Sequence, residues 1–169
     1  PKLLERAGPG TGQGSISGLF TVLVDGDDHN EPIADAFKGI TDGHLWLDRH
    51  LANKGHFPAV GVLQSISRVR TEVTDKEHQQ MARRINQLLA AYADIEDLVN
   101  IGAYTPGANP LNDLAVRSYP RILEFLQQST DAPSAYEQTK LQLQTLCNGI
   151  EKDAKLIEQQ ARSTPQRKK

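Results

Sequence analysis

One apolar stripe limits what this chain can fold into. Six apolar residues recur at alternating steps of four and three positions: Met81, Ile85, Leu88, Tyr92, Ile95 and Val99. This spacing places all of them on one face of an α-helix. Thr74 and Glu77 have the spacing of a capping box, and Asp75 adds negative charge at the positive end of the helix dipole. We therefore predict a long amphipathic helix from Thr74 to Val99.

The remainder of the second half has the same helical character. Asn109 and Pro110 supply an N-cap and a first-turn proline, and Pro120 is expected to interrupt the helix that they begin. Ser134 and Glu137 repeat the capping-box spacing. The apolar residues of the helix after them and of a last amphipathic helix are Leu141, Leu143, Leu146, Ile150, Ala154, Ile157 and Ala161. Residues 71–169 are therefore predicted to form an all-helical domain, with a disordered basic tail over residues 163–169.

Residues 1–70 alternate between strand and helix patterns. The run Ile16–Val24 is almost entirely apolar, which is typical of a strand buried on both faces of a parallel sheet. Asn30 and Pro32 predict the start of a helix, and His44–Leu47 predicts a short strand. Asp48 is expected to cap a short helix that Gly55 ends, before the apolar strand Pro58–Leu63. Strand, helix, strand, helix, strand indicates the last portion of a larger α/β domain with a parallel sheet.

The composition excludes several classes of function. Nineteen basic and twenty-one acidic residues leave a net charge of −2, so no strongly basic field favours nucleic acid. No apolar run approaches the roughly 18 residues that cross a membrane. The single cysteine, Cys147, excludes an internal disulfide and fits a reducing compartment, so we expect a cytoplasmic protein. The glycine-rich segment 8–14 precedes a strand and lacks a Lys-Ser/Thr pair, so it predicts a loop rather than a phosphate cradle.

Most polar candidates have an ordinary structural explanation. His44, His50 and His56 fall on a predicted strand, helix and loop, with no CxxC or HExxH beside them, so no metal site is predicted. Cys147 lies among leucine and isoleucine on a predicted helix, which is typical of a small buried residue. The carboxylates that follow the first buried strand either bind Mg²⁺ or solvate a turn, and spacing does not separate the two: Asp25, Asp27 and Asp28.

Arg68 is the first functional candidate. It stands just beyond the predicted strand Pro58–Leu63, and ligands of open α/β sheets bind outside the carboxyl ends of the strands. A guanidinium carries a permanent charge and fixed donors, which suit the charge that spreads over a transferred phosphoryl group. On spacing alone, an ordinary surface or salt-bridged arginine is the alternative.

A family resemblance covers residues 1 to about 128 in unbroken order. The matching segments are LLERAG with its glycine loop, GSISGLFTVLVDGDDHNEPIADA, ITDGHLWLDRHLANKGHFPAVGVLQSISRV and IGAYTPGANPLNDLAV. Together they resemble the carboxyl-terminal part of the F1/V-type rotary ATPases. Within that family they are most similar to the homohexameric ATPases of flagellar and other type III protein export.

The resemblance implies a RecA-like nucleotide-binding domain, ending near residue 70, followed by a helical C-terminal domain. Six subunits would form a ring with ATP and Mg²⁺ at the subunit interfaces. Arg68, in SISR, matches the arginine finger that reaches into the neighbouring subunit's site. Phe57, in GHFPAV, matches an aromatic residue that stacks on adenine, and Tyr104, in GAYTPG, matches a second aromatic of that pocket. Core packing is the alternative for both rings.

The sequence also departs from the family pattern. It contains no GxxxxGK(S/T) phosphate cradle, and it lacks the family's upstream apolar strand that ends in the acidic residue for Mg²⁺. We therefore expect a C-terminal fragment that does not hydrolyse ATP alone, whereas the full-length ATPase energises export at the cytoplasmic face of the export apparatus. Expected partners are export substrates, chaperones, and stalk, regulator or export-gate proteins. The alternatives are a virulence-type injectisome ATPase and a non-catalytic helical docking module.

Overall fold

The structure is a computed structural model, which describes residues 4–24, 26 and 31–163. The described residues up to His44, together with Ile66–Val69, form a first unit. Leu45–Ser65 and the residues from Arg70 onward form a second, the helical unit. The predicted Asn30 cap, the predicted carboxylates Asp25, Asp27 and Asp28, and nearly all of the predicted tail lie outside the described residues.

The elements are short in the first unit and long in the helical unit. In chain order they are a 3₁₀ turn (Leu4–Arg6), β1 (Gly8–Pro9), β2 (Ser15–Ile16), α1 (Pro32–Ile40), β3 (Gly43–His44), α2 (Arg49–Asn53), β4 (Ile66–Ser67), α3 (Arg70–Val73), α4 (Lys76–Ala93), α5 (Glu96–Asn100), α6 (Pro110–Leu126) and α7 (Tyr136–Ser163). No helix among the described residues is long and apolar enough to cross a membrane.

The strands of the first unit pair only antiparallel within the described residues. β1 pairs with β2, and β3 pairs with β4 so that Gly43 faces Ser67 and His44 faces Ile66. A Cβ atom on Gly43 would stand 2.4 Å from the Ile66 carbonyl oxygen, so this close approach requires glycine. α1 begins with Pro32 in its first turn, as predicted, and buries Ala34.

Two predicted strands are wrong. Of the apolar run 16–24, only Ile16 belongs to a strand, β2, while Leu19 is fully exposed and Leu23 is 89% exposed. In Pro58–Leu63, a single bridge joins Val60 to Leu47 before the chain turns. An apolar run becomes a buried strand only where neighbouring strands supply ladder hydrogen bonds and cover both faces. To these two runs the described residues supply only the short β1–β2 ladder and this one bridge, so they do not show the predicted parallel sheet.

The predicted apolar stripe builds the core of the helical unit. α4, α6 and α7 pack on one another around a single hydrophobic cluster, of which Leu88 and Ile150 are fully buried. The buried members are Met81, Ile85, Leu88, Ala91, Leu114, Ala115, Ile122, Leu143, Cys147 and Ile150. This result confirms the predicted helix face and the buried position of Cys147.

The ends of the helices differ from the predictions in four places. Asp75, rather than Thr74, caps α4, because its Oδ1 accepts the His78 N–H at 2.7 Å. The predicted single helix ends at Ala93, and α5 carries the rest of the stripe. α6 continues through Pro120, whose ring is exposed. The two last predicted helices are one, α7, since the sequence between them contains no proline.

The predicted caps of two other helices are confirmed. The Asp48 side chain accepts the His50 N–H at the start of α2, and Gly55, with φ of 73°, follows the end of that helix. The Asn109 side chain accepts the Leu111 N–H at 2.9 Å at the start of α6. Both helices therefore begin at the predicted residues.

Candidate functional site

Arg68 lies directly after β4 and against the end of α1. Its backbone N–H donates to the Asp42 carbonyl at 2.7 Å, which continues the β3–β4 pairing by one residue. Its Nη1 donates to the Gly39 carbonyl at 3.2 Å and its Nη2 donates to the Lys38 carbonyl at 3.0 Å. These carbonyls belong to the last turn of α1, where the helix dipole is negative and favours a cation.

The guanidinium is therefore oriented yet accessible. Arg68 is an exposed residue, and the two carbonyl bonds use two of its five N–H donors. It borders a cleft of about 340 Å³ on the first unit. The cleft is lined by Asp35, Lys38, Gly39, Thr41, Gly43, His44, Ile66 and Arg68. A permanently charged fork at the edge of such a cleft is suited to bind a phosphate or carboxylate group.

Phe57 belongs to the helical unit and presents its ring outward. The residue is 57% exposed, whereas the preceding His56 is only 5% exposed. His56 Nδ1 lies 3.4 Å from Gln127 Nε2, and the Phe57 carbonyl accepts the Gln128 N–H at 2.9 Å. The segment just after α6 therefore holds the backbone of Phe57, while its ring remains available to a planar ligand.

Tyr104 belongs to the loop between α5 and α6 and is half-buried. Its hydroxyl donates to Asp113 Oδ1, and the Gly107 N–H donates to both oxygens of the same carboxylate at 3.1 and 2.9 Å. Burial, and then the Asp113 hydrogen bond and charge, raise the pKa of Tyr104 to about 12. The tyrosine and the carboxylate thus clamp the 101–109 loop to the first turns of α6.

The structure does not bring Phe57 and Tyr104 together. Phe57 is anchored at Gln128, just beyond the end of α6, and Tyr104 is anchored at Asp113, near its start. Asp113 and the last residue of α6, Leu126, are thirteen positions apart, which corresponds to about 20 Å of helix. Phe57 and Tyr104 are thus anchored at opposite ends of α6, and a shared adenine pocket stays a prediction.

Sequence reasoning missed the segment that does adjoin Phe57. Gln127 and Gln128 contact His56 and Phe57 across about seventy positions of sequence, with 71 positions between His56 and Gln127. The Gln127 amide meets the His56 ring, and the Gln128 amide donates to the Ala132 carbonyl at 2.7 Å. No short sequence motif predicts such a long-range contact.

The described residues offer no metal centre. No group of three His, Cys, Asp or Glu side chains is placed to hold an ion in the part of the chain that the structure describes. That His44, His50 and His56 form no metal site stays a prediction. Cys147 lies in the core with its Sγ 4.0 Å from the Met81 carbonyl, and burial raises the pKa of its thiol.

Two known protein families match this chain. Residues 1–67 match the ATP synthase alpha/beta family, nucleotide-binding domain, and residues 74–145 match the T3SS EscN ATPase C-terminal domain. The chain therefore belongs to the F1/V-type rotary ATPase family, and within it to the ATPases of flagellar and type III protein export. The resemblance found in the sequence is confirmed. The predicted domain boundary at residue 70 falls between the two matches and stays a prediction.

Curated relatives come from both export systems. The flagellum-specific ATP synthase of Bacillus subtilis (strain 168) is 50% identical over 151 residues, which are 89% of this chain and 34% of the relative. The type 3 secretion system ATPase of Sinorhizobium fredii is 50% identical over 139 residues, which are 82% of this chain and 31% of the relative. The chain thus spans about a third of the length of the relatives that it matches.

Solved structures support the same placement. The assembled ATPase EscN from the enteropathogenic E. coli type III secretion system superposes with a TM-score of 0.81 at 43% identity, covering 86% of this chain and 35% of that one. EscN in complex with its central stalk EscO gives a TM-score of 0.76 at 42% identity, covering 86% and 34%. The fold of this chain is therefore shared with a protein-export ATPase.

Proposed function

We propose that this chain forms part of an ATPase that energises flagellar-type protein export, with ATP hydrolysed at the subunit interfaces of a homohexameric ring. The observation that carries the proposal is the 50% identity over 151 residues to a flagellum-specific ATP synthase. The assembled state of EscN supports a ring of identical subunits. The injectisome is the second candidate, because a type 3 secretion system ATPase is equally identical over a similar span.

Arg68 is proposed to act as the arginine finger of the neighbouring subunit's site. Its guanidinium is exposed, oriented by the Lys38 and Gly39 carbonyls, and permanently charged. As the γ-phosphate departs, charge builds on its oxygens, and a bidentate cation stabilises that charge more in the transition state than in the ground state. Such a finger supplies a factor of about 10³–10⁵ in rate.

Phe57 is proposed to stack on the adenine of its own subunit's ATP. The exposed ring offers an aromatic face, and the Gln128 N–H holds the backbone carbonyl of the same residue. Stacking of a base on an aromatic side chain contributes roughly 1–3 kcal/mol. Tyr104 is proposed as the second aromatic residue of the adenine pocket, with its hydroxyl bonded to Asp113 near the start of α6.

The fit to the proposed cofactors is partial. An exposed aromatic ring and an accessible arginine fit the base and the phosphates of ATP, whereas the described residues hold no ligand set for Mg²⁺. Mg²⁺, when bound, would neutralise part of the charge of the phosphates. Because the sequence contains no GxxxxGK(S/T), we expect the phosphate cradle in another part of the ATPase and no ATP turnover by this chain alone.

The proposed partners follow from the relatives. EscN binds its central stalk EscO, so we propose that the helical unit of this chain takes part in binding a stalk or regulator protein. Export substrates, their chaperones and the export gate are further proposed partners. The ATPase would then work at the cytoplasmic face of the export apparatus, where unfolded substrates are delivered.

Replacing Arg68 in the complete ATPase tests the proposal. Arg68→Ala should lower kcat by about 10³-fold or more with little change in ATP affinity, because the finger acts on the transition state. Arg70→Ala is the matched control, since Arg70 is also exposed and stands two positions further along the same SISRVR segment. Equal turnover of the Arg68→Ala and Arg70→Ala enzymes would refute the assignment.

A further inference from the structure

The cleft beside Arg68 holds a second cation that the family resemblance does not account for. Lys38 and Arg68 both line it, together with the His44 imidazole and the Asp35 carboxylate, among the residues that the structure describes. We infer that Lys38 is a second phosphate-binding residue of this cleft and acts with Arg68 on the polyphosphate of the neighbouring subunit's nucleotide. This inference rests on the proposed trans role of Arg68.

The register of α1 places Lys38 at the required position. Asp35, Lys38 and Gly39 are separated by three and one positions, so they lie on one face of the helix in its last two turns. Arg68 bonds to the Lys38 and Gly39 carbonyls, which brings the guanidinium over this same turn. The two cations therefore approach the cleft from two elements, α1 and the residue after β4.

The two cations have different chemistry. Lys38 is half-buried, whereas Arg68 is exposed. An ammonium is a compact point charge with three rotatable donors, and a guanidinium is a rigid fork. A polyphosphate tail presents several oxygens at different positions. The Arg68 guanidinium can therefore bind one phosphate while the Lys38 ammonium binds the next.

The charge balance and size of the cleft favour a polyphosphate over a monoanion. Among the described lining residues, one ammonium and one guanidinium lie near one carboxylate, and the His44 ring adds a polar group that can donate a hydrogen bond. A cleft of about 340 Å³ lies at the lower end of the roughly 300–1,000 Å³ typical of small-molecule sites. Asp35 opposes anion binding, so its charge should limit affinity when the cleft is open to solvent.

Binding of inorganic pyrophosphate to this chain tests the cleft directly. We expect calorimetry at low salt to show that Lys38→Gln weakens pyrophosphate binding roughly tenfold, as loss of one partly screened charge predicts. Lys38→Arg should retain binding, and Asp35→Asn should tighten it. Lys152→Gln, which removes an exposed lysine of α7, is the control for net charge. Equal affinities of the Lys38→Gln and Lys152→Gln chains would overturn the inference.

Parallel titrations with orthophosphate and with ATP distinguish the source of the phosphate. A nucleotide site requires that ATP and pyrophosphate bind similarly, that both respond to Lys38, and that orthophosphate binds more weakly. Binding of orthophosphate as tight as pyrophosphate would overturn the polyphosphate assignment. Circular dichroism of each variant shows whether α1 has been disturbed.

Turnover of the complete ATPase separates this inference from the proposed function. We expect Lys38→Gln to lower kcat about tenfold and Lys38→Arg to restore it, while Arg68→Ala has the larger effect. If Arg68→Ala abolishes turnover and Lys38→Gln does not change it, the finger stands and the role of Lys38 is refuted. If neither variant changes turnover, both assignments fail.

Discussion

The carboxylate of Asp153 joins α7 to α6, and its removal gives the sharpest test of the helical core. Asp153 is 8% exposed, and its Oδ1 lies 3.0 Å from Arg117 Nε. Its Oδ2 accepts a hydrogen bond from Arg121 Nη2. One buried acid thus receives two guanidinium groups that are one helical turn apart on α6. Asp153→Asn keeps the shape of this side chain and removes its charge.

The expected loss of stability depends on how far Asp153 is buried and how far its two arginine partners are exposed to solvent. Each charge-assisted hydrogen bond contributes roughly 1.5–3 kcal/mol where it is buried. Here the arginine side chains are 48% and 41% exposed, so solvent screens both pairs and the lower part of that range applies. We expect Asp153→Asn to lower the free energy of unfolding by about 2 kcal/mol, which corresponds to roughly 5–8 °C in Tm.

Urea and thermal unfolding of the chain measure this loss. Glu151→Gln removes an exposed carboxylate two positions away on α7 and should change stability by less than about 0.5 kcal/mol. A double-mutant cycle of Asp153→Asn with Arg117→Gln and with Arg121→Gln divides the effect between the two pairs. An Asp153→Asn chain as stable as the Glu151→Gln chain would refute the reasoning.

Three further outcomes follow from particular side chains. Ser118 is fully buried, and its Oγ has no hydrogen-bond partner among the described residues, so Ser118→Ala should raise the free energy of unfolding by about 0.5–1.5 kcal/mol; a loss of stability in urea would contradict this account. The His78 N–H and then the Lys140 side chain lower the pKa of Asp75 below its ordinary 3.8, so its stabilisation is complete above that value and is lost as the pH falls through the lower folded pKa. The Tm difference between wild type and Asp75→Asn should therefore shrink in acid, and a constant difference would contradict the pairing. Because the pKa of Tyr104 is raised to about 12, spectrophotometric titration should show that Tyr104→Phe removes the last phenol to ionise.

Local patterns predicted the helical unit well because its core depends on residues close in sequence. The stripe from Met81 to Ile95 lies on one side of α4 and its continuation, and the capping groups of Asp48 and Asn109 act within three residues. The predicted interruption at Pro120 is wrong. A proline breaks a helix when its ring clashes with the preceding turn or when the lost N–H hydrogen bond is too costly. The exposed position of Pro120 on α6 tolerates both.

The first unit was less predictable because its residues need distant partners. The run 16–24 has the composition of a buried strand, yet Leu19 and Leu23 are exposed in the described part of the chain. A strand is defined by its neighbours, which composition does not supply. β3 and β4 pair across more than twenty residues, and only the contact at Gly43 explains why that position is glycine.

The residues of the candidate site also differ in how far the sequence could predict them. Sequence motifs indicated Arg68 and Phe57 as candidates, and the structure shows both residues as exposed. Tyr104 looked equivalent in sequence, but its bond to Asp113 places it near the opposite end of α6 from Phe57. Lys38 carries no motif, and only the fold brings its helix turn beneath the Arg68 guanidinium.

The most direct test of the central claim is turnover in mixed rings. One complete ATPase carries Arg68→Ala, and the other lacks the lysine of its phosphate cradle, so each ring alone should be inactive. If Arg68 acts on the neighbouring subunit, rings assembled from equal amounts should recover roughly one quarter of the sites, because each site takes one element from each subunit. No recovery on mixing, or full turnover by the Arg68→Ala enzyme alone, would contradict the account.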